Sequence, residues 1–196
     1  MRAFIAIPLP ADLKAKLVLV QQEFRRLPVE ATWVREAGFH ITLKFLGEVE
    51  SAQIEPIVSC MTAVAQGCEP FVLTFCGVGV FPHELSPRVL WAGVQDETGR
   101  LWQLQQTLEA RLTHIGFPPE GRAFAPHLTL ARLKRISRRG EFVAHLKEHS
   151  QELFGHIDVH HFELLESHLH PAGAHYSTVK MVSLQQTINT SQMQLS

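Results

Sequence analysis

The apolar positions of this chain alternate between two spacings. Residues 3–9 form a nearly continuous apolar run ended by Pro8 and Pro10, which predicts a strand. Leu13, Leu17, Val20 and Phe24 then recur at the three-to-four-residue spacing of one helix face. Residues 32–35 and 40–46 read as two extended segments, the second closed by Gly47. Ser51 is placed to cap a helix carrying Ile54, Ile57, Val58, Met61 and Val64 and ending near Gly67. Two further strands are predicted at 71–80 and 89–94, separated by turns at Pro82 and Pro87. Leu101, Leu104, Leu108, Leu112 and Ile115 line a third helix that stops at Gly116. A strand over 127–133, a short helix over 141–149, and a final hairpin of 154–169 and 176–184 around Pro171 and Gly173 complete the pattern.

Strands and helices alternate in both halves of the chain, which indicates an approximate internal duplication and not a short-period repeat. No linker separates the halves. The nearest thing to a boundary is 116–121, with Pro118 and Pro119, so residues 1–196 are read as a single α+β domain of two similar lobes facing across a groove. Composition fits this reading. With 45% hydrophobic residues and a formal net charge of -1, the 196-residue chain can bury a sizeable core. Its apolar stretches are too short to cross a bilayer, and its opening lacks the length and cleavage site of a signal peptide, so a cytoplasmic protein is expected. Cys60, Cys68 and Cys76 are odd in number and without Cys-x-x-Cys spacing, which predicts buried free thiols. Net charge excludes a generally polyanion-binding surface. It leaves open a local one at Arg132, Lys134, Arg135, Arg138 and Arg139, which reads either as a solvated loop or as phosphate contacts.

Two segments carry the chemistry: His40-Ile41-Thr42-Leu43 and His127-Leu128-Thr129-Leu130. In a strand, residues two apart share a face, so each His stands beside its Thr while the residue between them enters the core. About a third of one such match is expected by chance in a chain of this composition, and two copies within strand-like sequence are harder to dismiss. Imidazole titrates near pH 6.5, so two histidines flanking one atom can act as base and acid near neutrality without a metal. Threonine hydroxyls can donate hydrogen bonds to non-bridging phosphoryl oxygens, and the set suits in-line displacement at phosphorus. The competing reading is that both motifs are ordinary strand positions satisfied by backbone.

Lys44 shares the face of His40 in an ideal strand and reads as a phosphate contact or a surface lysine. His145 and His149 have helical i, i+4 spacing, and His156, His160, His161, His168 and His170 follow. Without a His-Glu-x-x-His no metal site is expected. Gly77-Val-Gly79 lacks the rest of a dinucleotide fingerprint, and no phosphate-binding loop of the Walker type is present, so a nucleotide cofactor or ATP-driven ligation is unsupported.

These motifs resemble those of the two-histidine phosphoesterases, in particular the RNA 2′,3′-cyclic phosphodiesterases once described as 2′-5′ RNA ligases. The similarity includes Arg2-Ala-Phe4-Ile-Ala-Ile7, His40-Ile-Thr-Leu-Lys-Phe-Leu-Gly-Glu-Val49, Pro87-Arg-Val-Leu-Trp91-Ala-Gly-Val, Pro126-His-Leu-Thr-Leu-Ala-Arg132, Glu166-Ser167 and Gly173-Ala-His-Tyr176. The resemblance implies a bilobal α+β fold, two pseudo-symmetric antiparallel-sheet lobes with helices outside and a central cleft. It implies hydrolysis of a terminal 2′,3′-cyclic phosphate to a 2′-phosphomonoester with no cofactor, acting on RNA or nucleotide ends, without membrane or obligate protein partner, as a monomer. By the same resemblance His40 donates a proton to the leaving 3′-oxygen, His127 activates water, and Thr42 and Thr129 hold the phosphoryl group. Arg132 would contact base or phosphate, although an ideal strand points it away from His127. Phe4 would stack on a base or pack in the core. A smaller cyclic nucleotide with weak ligase activity, or a non-catalytic RNA-binding module, are the alternatives.

Overall fold

The computed structural model describes residues 1–168 and 174–185. Among these residues nine strands form two antiparallel sheets. The four-stranded sheet, in order β3-β1-β8-β9, contains β1 (Arg2–Pro8), β3 (His40–Glu48), β8 (His161–His168) and β9 (His175–Ser183). The five-stranded sheet, in order β2-β6-β5-β4-β7, contains β2 (Val29–Trp33), β4 (Phe71–Phe81), β5 (Val89–Gln95), β6 (His127–Ile136) and β7 (Leu153–Val159). Helices α1 (Ala11–Arg25) and α4 (Arg139–Glu148) cover the five-stranded sheet, and α2 (Ser51–Gln66) and α3 (Arg100–His114) cover the four-stranded one. The motif strands β3 and β6 approach each other where the sheets meet.

The helix periodicities translate directly into packing. Leu13, Leu17, Val20 and Phe24 of α1 and Leu101, Leu104, Leu108 and Leu112 of α3 are all buried, each such side chain contributing about 1.5–3 kcal/mol of transfer free energy. The expected Ser51 cap lies one residue away: Glu50 is the N-cap, and its side chain and that of Gln53 close a capping box. The three cysteines are free and half-buried.

Two expectations about connectivity change. Residues 154–169 are not one strand: β7 pairs with β4 in the five-stranded sheet, and β8 pairs with β1 and β9 in the other, with His160 at the crossing. The apolar alternation slips by one residue at the crossing, from Ile157 and Val159 before it to Phe162 and Leu164 after it, and the two histidines between them mark where the chain changes sheet. Each sheet also takes strands from both halves of the chain, and 116–121 is no loose joint. The Pro118 carbonyl accepts from Lys44 Nζ (2.6 Å), and the Glu120 amide donates to Glu109 (2.6 Å). The expected turn at Pro171 and Gly173, with His170, lies outside the described residues.

Candidate active site

The two motif strands depart from ideal alternation in the same way at the same place. In β3, Ala6 pairs with Thr42 but Ile5 pairs with Lys44, leaving Leu43 as an extra residue. In β6, Trp91 pairs with Thr129 but Leu90 pairs with Ala131, leaving Leu130 as the extra residue. A bulge of this kind puts two consecutive residues on one face and reverses the alternation beyond it. Leu43 and Lys44 are therefore both buried and Phe45 emerges, while Leu130 and Ala131 are both buried and Arg132 emerges. His40, Thr42 and Phe45 share one face of β3, and His127, Thr129 and Arg132 share the corresponding face of β6.

This geometry corrects the expectation for Lys44. It lies opposite Ile5 on the core face, is 2% exposed, and donates to Glu109 (2.7 Å) and the Pro118 carbonyl. It ties β3 to α3 and is turned away from His40. The bend that Arg132 requires is supplied by the bulge at Leu130. Arg135 and Arg138 form exposed pairs with Glu30 (3.9 Å) and Glu141 (3.0 Å), and Arg132 to Arg135 belong to β6 and not to a loop.

Both imidazoles are oriented by the carbonyl two residues upstream. His127 Nδ1 lies 2.7 Å from the Ala125 oxygen, so in the neutral ring Nδ1–H donates there and Nε2 carries the free lone pair. His40 hydrogen-bonds to the Gly38 carbonyl. Each ring also rests on a phenylalanine: Phe4 at 4.7 Å from His40, and Phe81 at 5.0 Å, edge to face, from His127. Phe4 is 3% exposed beneath His40 and Tyr176, so it forms the floor of the site and offers no face for stacking. Among the described residues, the Thr42 and Thr129 hydroxyls have no hydrogen-bond partner, which the purely structural reading of the motifs would require.

Burial pushes His40 down from its ordinary 6.5 to about 4; the nearby Lys14 charge pushes the same way, and the Gly38 carbonyl opposes both. His40 is thus neutral at pH 7 in the ligand-free protein. Tyr176 reaches the motif of β3 from β9, over Phe4. Its ring meets His40 edge-on at 5.2 Å, and its phenol is pushed upward by burial against the opposing charges of Arg132 and Arg2. It therefore stays protonated and able to donate.

Sequence reasoning passed over Tyr176, Phe45, Phe81, Trp91 and Lys14 as site residues. Tyr176 carried a signal, being the chain's single tyrosine. Trp91 pairs with Thr129 on the site's face, and Gly79 makes room for it: a Cβ there would lie 2.3 Å from the indole.

The chain and its fold have relatives among known proteins. The family described as LigT like phosphoesterase matches residues 7–91 and 93–176, each segment holding one motif. The RNA 2′,3′-cyclic phosphodiesterase of Archaeoglobus fulgidus is 34% identical over 182 residues, covering 92% of this chain and 99% of that protein. The crystal structure of the Thermus thermophilus protein TT0787 superposes with a TM-score of 0.80 at 30% identity, covering 94% of this chain and 98% of that one. That of E. coli LigT complexed with 3′-AMP gives 0.77 at 25% identity, with the same coverage. With two family segments spanning nearly the whole chain and a His-x-Thr strand in each, this chain belongs to the LigT-like phosphoesterase family, the two-histidine phosphoesterases.

Proposed function

We propose that this chain hydrolyses 2′,3′-cyclic phosphate at an RNA or nucleotide end to a 2′-phosphomonoester, through two histidines and no cofactor. The observation that carries the reading is the repeated bulged strand, which aims one carbonyl-anchored imidazole and one unengaged threonine hydroxyl from each sheet toward the same junction. A binding module has no need of paired proton-transfer groups. The relatives named RNA 2′,3′-cyclic phosphodiesterase support the substrate class.

His127 Nε2 takes a proton from water, whose oxygen bonds to phosphorus. The bond from phosphorus to O3′ breaks on the opposite side, and His40 gives O3′ its proton. Thr42 and Thr129 donate to the non-bridging oxygens, where charge rearranges during displacement. Arg132 holds phosphate or base, and Phe45, 59% exposed beside the motif, offers the stacking face that Phe4 does not. Burial that lowers the proton affinity of His40 makes its protonated form a stronger acid, and the anionic substrate supplies the counter-charge that loads it. All four motif residues come from one chain, so a monomer suffices. The free thiols fit a reducing compartment, and we place the activity in the cytoplasm.

Phosphorus NMR of the product from a 2′,3′-cyclic nucleotide tests the assignment. A 2′-phosphate with a free 3′-hydroxyl is expected. Predominant 3′-phosphate would reverse the roles of the two histidines or the substrate's orientation, and an intact cyclic phosphate would refute the enzyme. A deoxyribose end, having no 2′-oxygen, cannot enter this route.

A further inference from the structure

A second cluster of titratable groups lies outside this site, on the helices that cover the five-stranded sheet. His145 and His149 are one turn apart along α4 and its C-cap, and Glu23 faces them from the last turn of α1. The Nε2 atoms of His145 and His149 lie 3.8 and 3.0 Å from the same Glu23 oxygen. The opposite ring nitrogens are engaged: Nδ1 of His145 pairs with Glu148 (3.2 Å), and Nδ1 of His149 with Glu152. In neutral rings those Nδ1–H groups donate to carboxylates, so both Nε2 lone pairs converge on a third carboxylate. His145 Nε2 is buried without a hydrogen-bond partner among the described residues. Three electron-rich atoms aimed at one another call for a cation between them.

We propose that Glu23, His145 and His149 form a binding site for a divalent first-row transition ion, with Zn²⁺ as the best fit, cross-linking α1 to α4. Zinc bonds of about 2.0–2.1 Å in a tetrahedron separate neighbouring ligand atoms by about 3.3 Å. The observed 3.0 and 3.8 Å bracket that value, and the three ligand atoms all lie within 4.8 Å of one another. Two imidazoles and a carboxylate suit zinc and leave a fourth position for water, while magnesium and calcium favour oxygen-rich sets. The carboxylate behind each imidazole is the usual outer support of a metal-bound histidine: it fixes the tautomer and raises ligand basicity. Phe24 packs against both rings, at 4.7 and 5.8 Å, and holds them in place. No residue of this cluster belongs to the two motifs, so the ion is structural and the phosphoesterase chemistry does not pass through it. Helical i, i+4 spacing had marked two of these ligands; the third comes from a helix about 120 residues earlier, where only the fold could bring it.

Calorimetric titration of the chelator-stripped protein with ZnCl₂ at pH 7 tests the site. One ion per chain is expected, with a higher Tm when loaded and a Co²⁺ derivative showing the visible bands of a low-coordinate site. Glu23→Gln and His149→Gln, which keep the packing volume, should each weaken zinc at least tenfold and abolish the Tm increase. His156→Ala, whose imidazole pairs with Thr74 elsewhere, should change neither. Zinc affinity unaltered in Glu23→Gln and His149→Gln would overturn the proposal. So would a cluster that responds only to protons, with Tm rising on acidification to about pH 5 and zinc without effect.

Discussion

The proton affinity of His40 gives the sharpest test of the catalytic reading. In the ligand-free protein the ring holds its proton only below about pH 4, against 6.5 in water. At about 1.4 kcal/mol per tenfold change in affinity, that difference is about 3 kcal/mol. A single negative charge about 4 Å from the ring, at an effective dielectric constant of about 20, returns about 4 kcal/mol. One phosphate seated against His40 is therefore enough to restore the imidazolium near neutrality, and substrate binding should take up a proton. Ring-edited NMR of the protein, with His40→Gln as assignment control, should find a midpoint near 4 without ligand and at about 6 or above when saturated with 2′-AMP. A free-protein midpoint at 6.5 would show that the ring is not desolvated. A midpoint unmoved by 2′-AMP would show that no phosphate sits against it. Stability carries the same signature. Because the folded-state value lies below the unfolded one, the unfolded chain takes the proton first as pH falls. The contribution is complete above about pH 6.5, is lost progressively down to about pH 4, and amounts to about 3 kcal/mol that His40→Gln should remove from the pH dependence of chemical denaturation.

Four further outcomes are expected. His40→Ala and His127→Ala should each lower kcat on a cyclic nucleotide at least about 10²-fold, the usual scale for a general acid or base, with EDTA leaving the wild type active; wild-type turnover in either variant would remove that residue from the mechanism. Thr42→Val and Thr129→Val should reduce kcat less completely, and the absence of any change would place the hydroxyls away from the phosphoryl group. Arg132→Ala should raise KM for an oligonucleotide more than it lowers kcat, with a weaker salt dependence of binding, as a contact made equally in ground and transition states requires. Lys44→Ala strands the Glu109 carboxylate, and should cost about 3–5 kcal/mol in denaturation while kcat/KM of the folded protein stays within a few-fold of wild type; a selective loss of substrate affinity at unchanged Tm would return Lys44 to the site.

Features set by short-range patterning were legible in the sequence alone. The apolar rows of α1 and α3, and the stops at Gly67 and Gly116, follow from periodicity and turn chemistry, which are local. So does the pairing of His with Thr within each motif, because two residues along a strand return to the same face wherever the strand goes. What depends on a strand's partner was not legible. The extra residue at Leu43 or Leu130 exists only relative to Ala6 and Ile5, or Trp91 and Leu90, across the ladder, and it alone turns Lys44 inward and Arg132 outward. The split of 154–169 shows in the sequence only as a one-residue slip of the alternation at His160-His161; that the chain there leaves β4 and joins β1 and β9 is decided by the hydrogen-bond ladders. Tyr176 beside His40, and Glu23 beside His145 and His149, join residues more than a hundred positions apart. A chain reports its neighbours along the backbone through spacing. Contacts closed across that distance are selected by the packing of the whole core, and only the tertiary structure decides them.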